Sequence, residues 1–190
     1  MHITIMGTGG IGGYFGARLA NAGCDVTFVA RGAQLAALRE HGLRIESPLG
    51  DLHLPKVQAT DDPASIGKTE LVLFGVKLWD TAAAALAIKP LIGEDTAVVS
   101  FQNGVVKDDI LRQVLGERCV IGGVSYIAAT IAEPGLIRHS GAMQKLVFGE
   151  YDGNLSERVK RLRDACIKAG IDQELSTNIR QAVWQKFVFL

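Results

Sequence analysis

The segment Gly7-Thr8-Gly9-Gly10-Ile11-Gly12 decides the fold. It follows a short apolar run, Ile3-Thr4-Ile5-Met6, and opens a stretch in which Ile11, Phe15, Leu19 and Ala22 recur at helical spacing until Gly23. A G-x-G-x-x-G turn between a strand and an amphipathic helix is a cradle for a dinucleotide pyrophosphate. Gly7 permits the tight turn, Gly9 lets the backbone approach the phosphates, and Gly12 lets helix and strand pack closely. Thr8, Gly10 and Ile11 complete the loop, where the helix N-terminus offers free N–H groups and a partial positive charge.

The next strand, read over Cys24 to Ala30, carries the selectivity. A site for the unphosphorylated dinucleotide has Asp or Glu near its end, holding the ribose 2′-hydroxyl. Here the run is Phe28-Val29-Ala30-Arg31-Gly32, with no carboxylate. Arg31 can pair with a 2′-phosphate through several N–H donors, so NADP is the expected cofactor.

Further along, strands and helices alternate. Gln34–Glu40 reads as a helix, and Leu43–Glu46 and Asp51–Leu54 as a hairpin around Ser47-Pro48-Leu49-Gly50. Leu71-Val72-Leu73-Phe74-Gly75-Val76 is a strand covered on both faces. Thr81–Ile88 and Asp108–Leu115 are helical, with the strand Thr96–Ser100 between them. Val120–Ala128, Gly135–Arg138 and Lys145–Phe148 read as three strands in succession. Asn154 with Glu157 resembles a capping box, opening a helix with the stripe Leu155, Val159, Leu162, Cys166 and Ala169. An extended piece over Ile171–Leu175 precedes a final helix from about Thr177. The pattern predicts an α/β fold: a Rossmann-type open, mostly parallel sheet with helices on both faces and right-handed crossovers. Ile179, Val183, Phe187 and Leu190 of the final helix have no obvious place in that sheet. The expected division is a dinucleotide-binding domain over residues 1–176 and the first helix of an all-helical second domain, cut short, over 177–190.

Composition narrows the partners. Basic and acidic residues number 20 each, so no global field holds nucleic acid or an anionic membrane. No run approaches the ~20 apolar residues of a membrane helix, and the N-terminus lacks the pattern of a signal peptide. Cys24, Cys119 and Cys166 lie far apart and without metal-ligand spacing, as do the four histidines. Reduced thiols, a cytoplasmic location and no metal site are the expectations.

Three more segments, Val76-Lys77, Gln102-Asn103-Gly104 and Trp184-Gln185-Lys186, join the glycine loop and Arg31 at the spacing of one family. The chain resembles the ketopantoate reductases (2-dehydropantoate 2-reductases) along its whole length. The resemblance implies NADPH-dependent reduction of 2-ketopantoate to pantoate, on the route to pantothenate and coenzyme A. It places Lys77 beside cofactor and substrate, Asn103 against the nicotinamide ribose and the substrate, and Lys186 as general acid, also touching substrate. Hydride addition builds charge on the carbonyl oxygen, which a protonated lysine can neutralise. Two other readings stay open: reduction of a different 2-keto acid, and an NADP-sensing module without chemistry. The family's helical second domain supplies a carboxylate and most substrate contacts, so these 190 residues alone are expected to reduce ketopantoate poorly. A homodimer stays open. Glu133-Pro134-Gly135 and His139 also resemble a family segment, with His139 expected to be structural.

Overall fold

The computed structural model describes every residue from Met1 to Leu190. β1 (His2–Met6), α1 (Gly10–Asn21) and β2 (Asp25–Val29) form the first strand–helix–strand unit, its strands parallel with Ile5 beside Phe28. α2 (Gly32–His41) leads to the expected hairpin of β3 (Leu43–Glu46) and β4 (Leu52–Leu54). β5 (Gln58–Thr60), too short and polar to be read as a strand, extends the sheet beyond β2. β6 (Leu71–Phe74), α3 (Thr81–Ile88), β7 (Ala97–Ser100) and α4 (Lys107–Leu115) repeat the alternation. β8 (Val120–Glu133), β9 (Leu136–Gly149), α5 (Glu157–Lys168), β10 (Asp172–Leu175) and α6 (Ile179–Phe189) complete the chain.

The sheet runs β4-β3-β9-β8-β7-β6-β1-β2-β5, with β10 beside β9. Only β3–β4 and β8–β9 are antiparallel. From β1 the chain builds outward to β2, crosses to lay the β3–β4 hairpin at the far edge, comes back to add β5 beside β2, and then places β6 on the other side of β1. That reversal opens a crevice at the carboxyl ends of β1 and β6, where ligands bind in such sheets. The continuous apolar run of β6 has a simple cause. Leu71 and Leu73 join the core under α1 and α5, while Val72 and Phe74 join the one under α3.

Three expectations are corrected. The three strands after Val120 are two, each of 14 residues, forming one long hairpin around Pro134 and Gly135. Register shifts at Ile127/Ala128 and Ile131/Glu133 break the two-residue alternation by which a strand is recognised. The cap of α5 is Ser156, whose hydroxyl accepts from Val159 N–H, whereas Asn154 is engaged by Asp152. Finally, Ile179 and Val183 do find a place: they pack on Val124 of β8 and Val147 of β9. Gly122 makes room, since a Cβ there would lie 2.6 Å from the Ile179 side chain.

Candidate functional site

The four glycines of the loop meet four different surroundings. Gly7 has φ +99° and a Cβ on it would stand 2.9 Å from Val76, so this turn brings the ends of β1 and β6 together. On Gly12, a Cβ would meet the Gly7 carbonyl oxygen at 2.2 Å and Ile5 at 3.0 Å, the close helix–strand approach read from the motif. Gly10 is required for a reason invisible in the motif. The β8 backbone crosses the start of α1, and a Cβ on Gly10 would stand 2.0 Å from the Ala129 carbonyl oxygen. Around Gly9 there is nothing within 4 Å.

Gly9 is also the α1 cap. It offers no side chain to the helix N–H groups, and the first turn carries no acidic residue. The positive end of α1 is therefore left uncompensated beside open space, which fits a pyrophosphate. Ile11 is half-buried on the same turn. Thr8 holds the cradle to β2: its N–H and its hydroxyl both donate to the Val29 carbonyl, at 3.1 and 3.0 Å. Gln34, which sequence reasoning missed, braces the loop from outside. Its Nε2 donates to the Thr8 carbonyl at 3.1 Å and its Oε1 accepts from Gly135 N–H at 3.0 Å. One amide thus ties the phosphate loop to the tip of the long hairpin.

Beside the loop lies a cleft of about 160 Å³, lined by Met6, Val29, Ala30, Arg31, Val76 and Ile131, among others, and by no carboxylate. Arg31 stands exposed at its edge, and its guanidinium makes no hydrogen bond or ion pair within the chain. The donor set suits an adenosine half carrying extra negative charge.

At the carboxyl end of β7 the chain gathers a second group. Gln102 is buried; its amide donates to the Val76 carbonyl and the Thr81 hydroxyl, both at 2.8 Å, and accepts from Ser100. It locks the loop after β7 to the loop after β6. Asn103 follows, exposed, and lines a narrow cleft with Gly104, Lys107, Val183 and Lys186. Lys186 arrives from α6 with its Nζ donating to the Ser125 carbonyl and 5.5 Å from the centre of the Tyr126 ring. Burial, and secondarily the Lys107 ammonium, bring its proton affinity down to about 8. Lys77 is exposed where the short turn Leu78–Asp80 begins and lines neither cleft. The structure thus brings Asn103 and Lys186 together, keeps Arg31 at the other cleft, and leaves Lys77 on the rim of the crevice.

Three larger surface hollows lie away from these strand ends and hold no such set. His139 is buried, hydrogen-bonded to the Ser47 hydroxyl and the Met143 carbonyl, a structural position. All three cysteines are free; burial pushes the Cys166 thiol up to about 12, so it stays protonated in the core. No helix is long and apolar enough to cross a membrane.

A phosphate cradle at the switch point of a mostly parallel sheet, with polar side chains at the next two strand ends, defines a nicotinamide-dinucleotide domain of the oxidoreductase kind. The family model described as ketopantoate reductase PanE/ApbA matches residues 3–153, and the chain belongs to that family. It is 35% identical to the 2-dehydropantoate 2-reductase of Mesorhizobium japonicum, over 98% of this chain and 63% of that protein. The crystal structure of the 2-dehydropantoate 2-reductase from Geobacter metallireducens superposes with a TM-score of 0.93 at 33% identity, covering 100% of this chain and 62% of that one. A PanE/ApbA family ketopantoate reductase from Ralstonia eutropha gives 0.88 at 39%, covering 98% and 60%. The chain therefore spans less than two thirds of the length of these relatives.

Proposed function

We propose that these residues form the cofactor-binding part, and one wall of the active site, of a cytoplasmic reductase that converts 2-ketopantoate to pantoate with NADPH. The observation that carries the reading is the meeting of Asn103 and Lys186 in one cleft beside the carboxyl end of β7, on the same sheet as the phosphate cradle. NADPH, when bound, supplies the hydride that adds to the ketone carbon. As the carbon–oxygen double bond opens, Lys186 gives its proton to the oxygen and regains one from solvent. A donor whose proton affinity lies near the working pH is the efficient choice for this step, and Lys186 at about 8 meets that condition. Asn103 offers an amide to orient the carbonyl or the ribose beside it. Lys77, on the rim, presents a cation to the phosphates or to the substrate carboxylate. Arg31 selects NADPH over NADH through its free guanidinium.

The division at residue 177 belongs to the same reading: α6 is the first element of a helical substrate domain, though it rests on the sheet through Ile179 and Val183. The 190 residues alone bind NADPH and turn over slowly. The test is NADPH consumption by the protein at the full length of its relatives, with ketopantoate and a panel of other 2-keto acids. Preference for ketopantoate supports the assignment; preference for another acid moves the substrate, and no turnover with NADPH binding intact leaves a sensor.

A further inference from the structure

Lys107 is the one cation in the molecule placed where its type is least expected. A lysine in the first turn of a helix opposes the helix dipole, and surface lysines avoid full burial. Yet Lys107 begins α4 and is only 1% exposed. Its Nζ donates to the Ser100 carbonyl at 2.9 Å and to both carboxylate oxygens of Asp108 at 2.9 Å. Asp108 is itself buried and accepts from the Tyr151 hydroxyl at 2.6 Å. Tyr151 is clasped by the guanidinium groups of Arg112 and Arg180, each 4.8 Å from the ring centre. Removing one partner of such a pair leaves an uncompensated buried charge, so it is not an incidental contact.

The arrangement is directional. Lys107 lines the cleft it shares with Lys186 and Asn103; Asp108 does not, and is turned toward Tyr151. The two lysines are anchored to adjoining backbone. β7 and β8 pair only through Val98–Val120 and Val99–Ile121 and then part, so the Ser100 and Phe101 carbonyls lose their ladder partners. Lys107 takes the first, and the Ser125 hydroxyl takes the second at 3.2 Å. The carbonyl of that same Ser125 accepts from Lys186.

Burial works against the Lys107 charge, and the Asp108 carboxylate beside it works to sustain it. We propose that Lys107 is a positioning residue for Lys186: its ammonium, held by the Ser100 carbonyl and the Asp108 carboxylate, stands as a like charge on the wall of the cleft the two lysines share. Of the other charged groups on neighbouring elements, Lys145 of β9 is paired with Glu174 of β10 at 2.5 Å and Arg112 of α4 with Glu117, Arg180 of α6 stacks on Tyr151, and Asp109 of α4 is exposed to water; Tyr126 of β8 presents its ring face to Lys186. Lys107 is the neighbouring charge that acts on Lys186 alongside burial, and both work in the same direction. The inference deepens the reductase reading, in which Lys186 is the donor, but its test does not depend on turnover.

The test is a lysine titration by NMR in this chain, with ¹³C-dimethylated side chains and the Lys186 signal assigned by its loss in Lys186→Arg. The midpoint near 8 rises by about one pH unit or more in Lys107→Met, the effect of removing a close like charge. Because that variant leaves Asp108 unpaired, Lys107→Met/Asp108→Asn is measured beside it. The double variant leaves no charge at the replaced pair, and its midpoint also rises. An unchanged midpoint in the double variant, with the amide spectrum showing an intact fold, overturns the proposal. In the full-length protein the falling limb of the pH–rate profile moves up with the midpoint. If Lys186→Ala turns over normally while the midpoint still shifts, the reductase reading fails and the coupling stands.

Discussion

The phosphate cradle, after β1, and the seat of Lys186, by β7 and β8, belong to one sheet, yet they are held in opposite ways. The cradle is made from Gly7 to Gly12 on a single turn, tied to β2 by Thr8. Its turn comes from consecutive residues, mostly glycines, so its shape is written largely in one short stretch. The Lys186 seat has no local logic. It needs Gly122 of β8 to admit Ile179, Val124 and Val147 to receive Val183, and Ser125 to present a carbonyl to the ammonium. Charge follows the same division. The cradle offers backbone N–H groups beside an exposed Arg31, whereas Lys186 is tuned by burial and by a second buried lysine. In the proposed reading, anion binding draws on local parts and proton transfer on tertiary ones, because a shifted proton affinity requires desolvation, which only packing supplies.

The strongest test of this contrast is Lys186→Ala in the protein at the full length of its relatives. Steady-state kinetics should show kcat lowered on the order of 10²- to 10⁴-fold, the scale of a lost general acid, with NADPH affinity retained. A normal kcat removes the tertiary half of the contrast. Next comes a pair of glycine substitutions. Gly10→Ala drives a methyl group into the Ala129 carbonyl and should cost about 3 kcal/mol in urea unfolding. Gly9→Ala, with open space around it, should leave stability within about 0.5 kcal/mol and instead weaken dinucleotide binding. Equal stability losses in the two variants would show that the loop is not divided between hairpin packing and ligand approach.

Arg31→Ala should weaken NADPH about 10- to 100-fold by fluorescence titration, the worth of charge-assisted hydrogen bonds, and leave NADH unchanged. A smaller effect, in shape rather than size, concerns pH. Lys186 must be charged to give a proton, so ketone reduction should fall as pH rises through about 8 and alcohol oxidation should rise there. Bound carboxylate and phosphate groups move both limbs upward together. The smallest effect expected is for Gln34→Ala, which removes the brace between Thr8 and Gly135. It should cost about 1 kcal/mol and loosen the hairpin tip, seen as faster amide exchange at Gly135.

Much of the fold was legible in the residues, for identifiable reasons. β1, α1, β6 and α3 announce themselves because each has one dominant local signal: a glycine turn, an apolar stripe, a continuous apolar run or an alanine-rich stretch. The β8–β9 hairpin did not, because bulges at Ile127 and Ile131 shift its alternation and its tip carries exposed residues on both faces. Within the site, Gly7, Gly9, Gly12 and Arg31 could be read directly, while Asn103 and Lys186 needed the resemblance to a family. Gln34, Gln102 and Ser125 carried no signal, since an amide or hydroxyl earns its role only from the carbonyl it meets. Lys107 carried a faint one, a cation at the wrong end of a helix.

Read alone, then, the residues define a strand–glycine turn–helix unit at the start of the sheet and place no carboxylate after the end of β2. Backbone conformation and charge type settle both, and they are written residue by residue. Only the tertiary structure decided that Gly10 serves the hairpin, that α6 rests on β8 and β9, and that two lysines from different elements share one cleft. Those outcomes depend on contacts between residues far apart in the chain and on the water those contacts exclude, and neither is encoded in any single stretch.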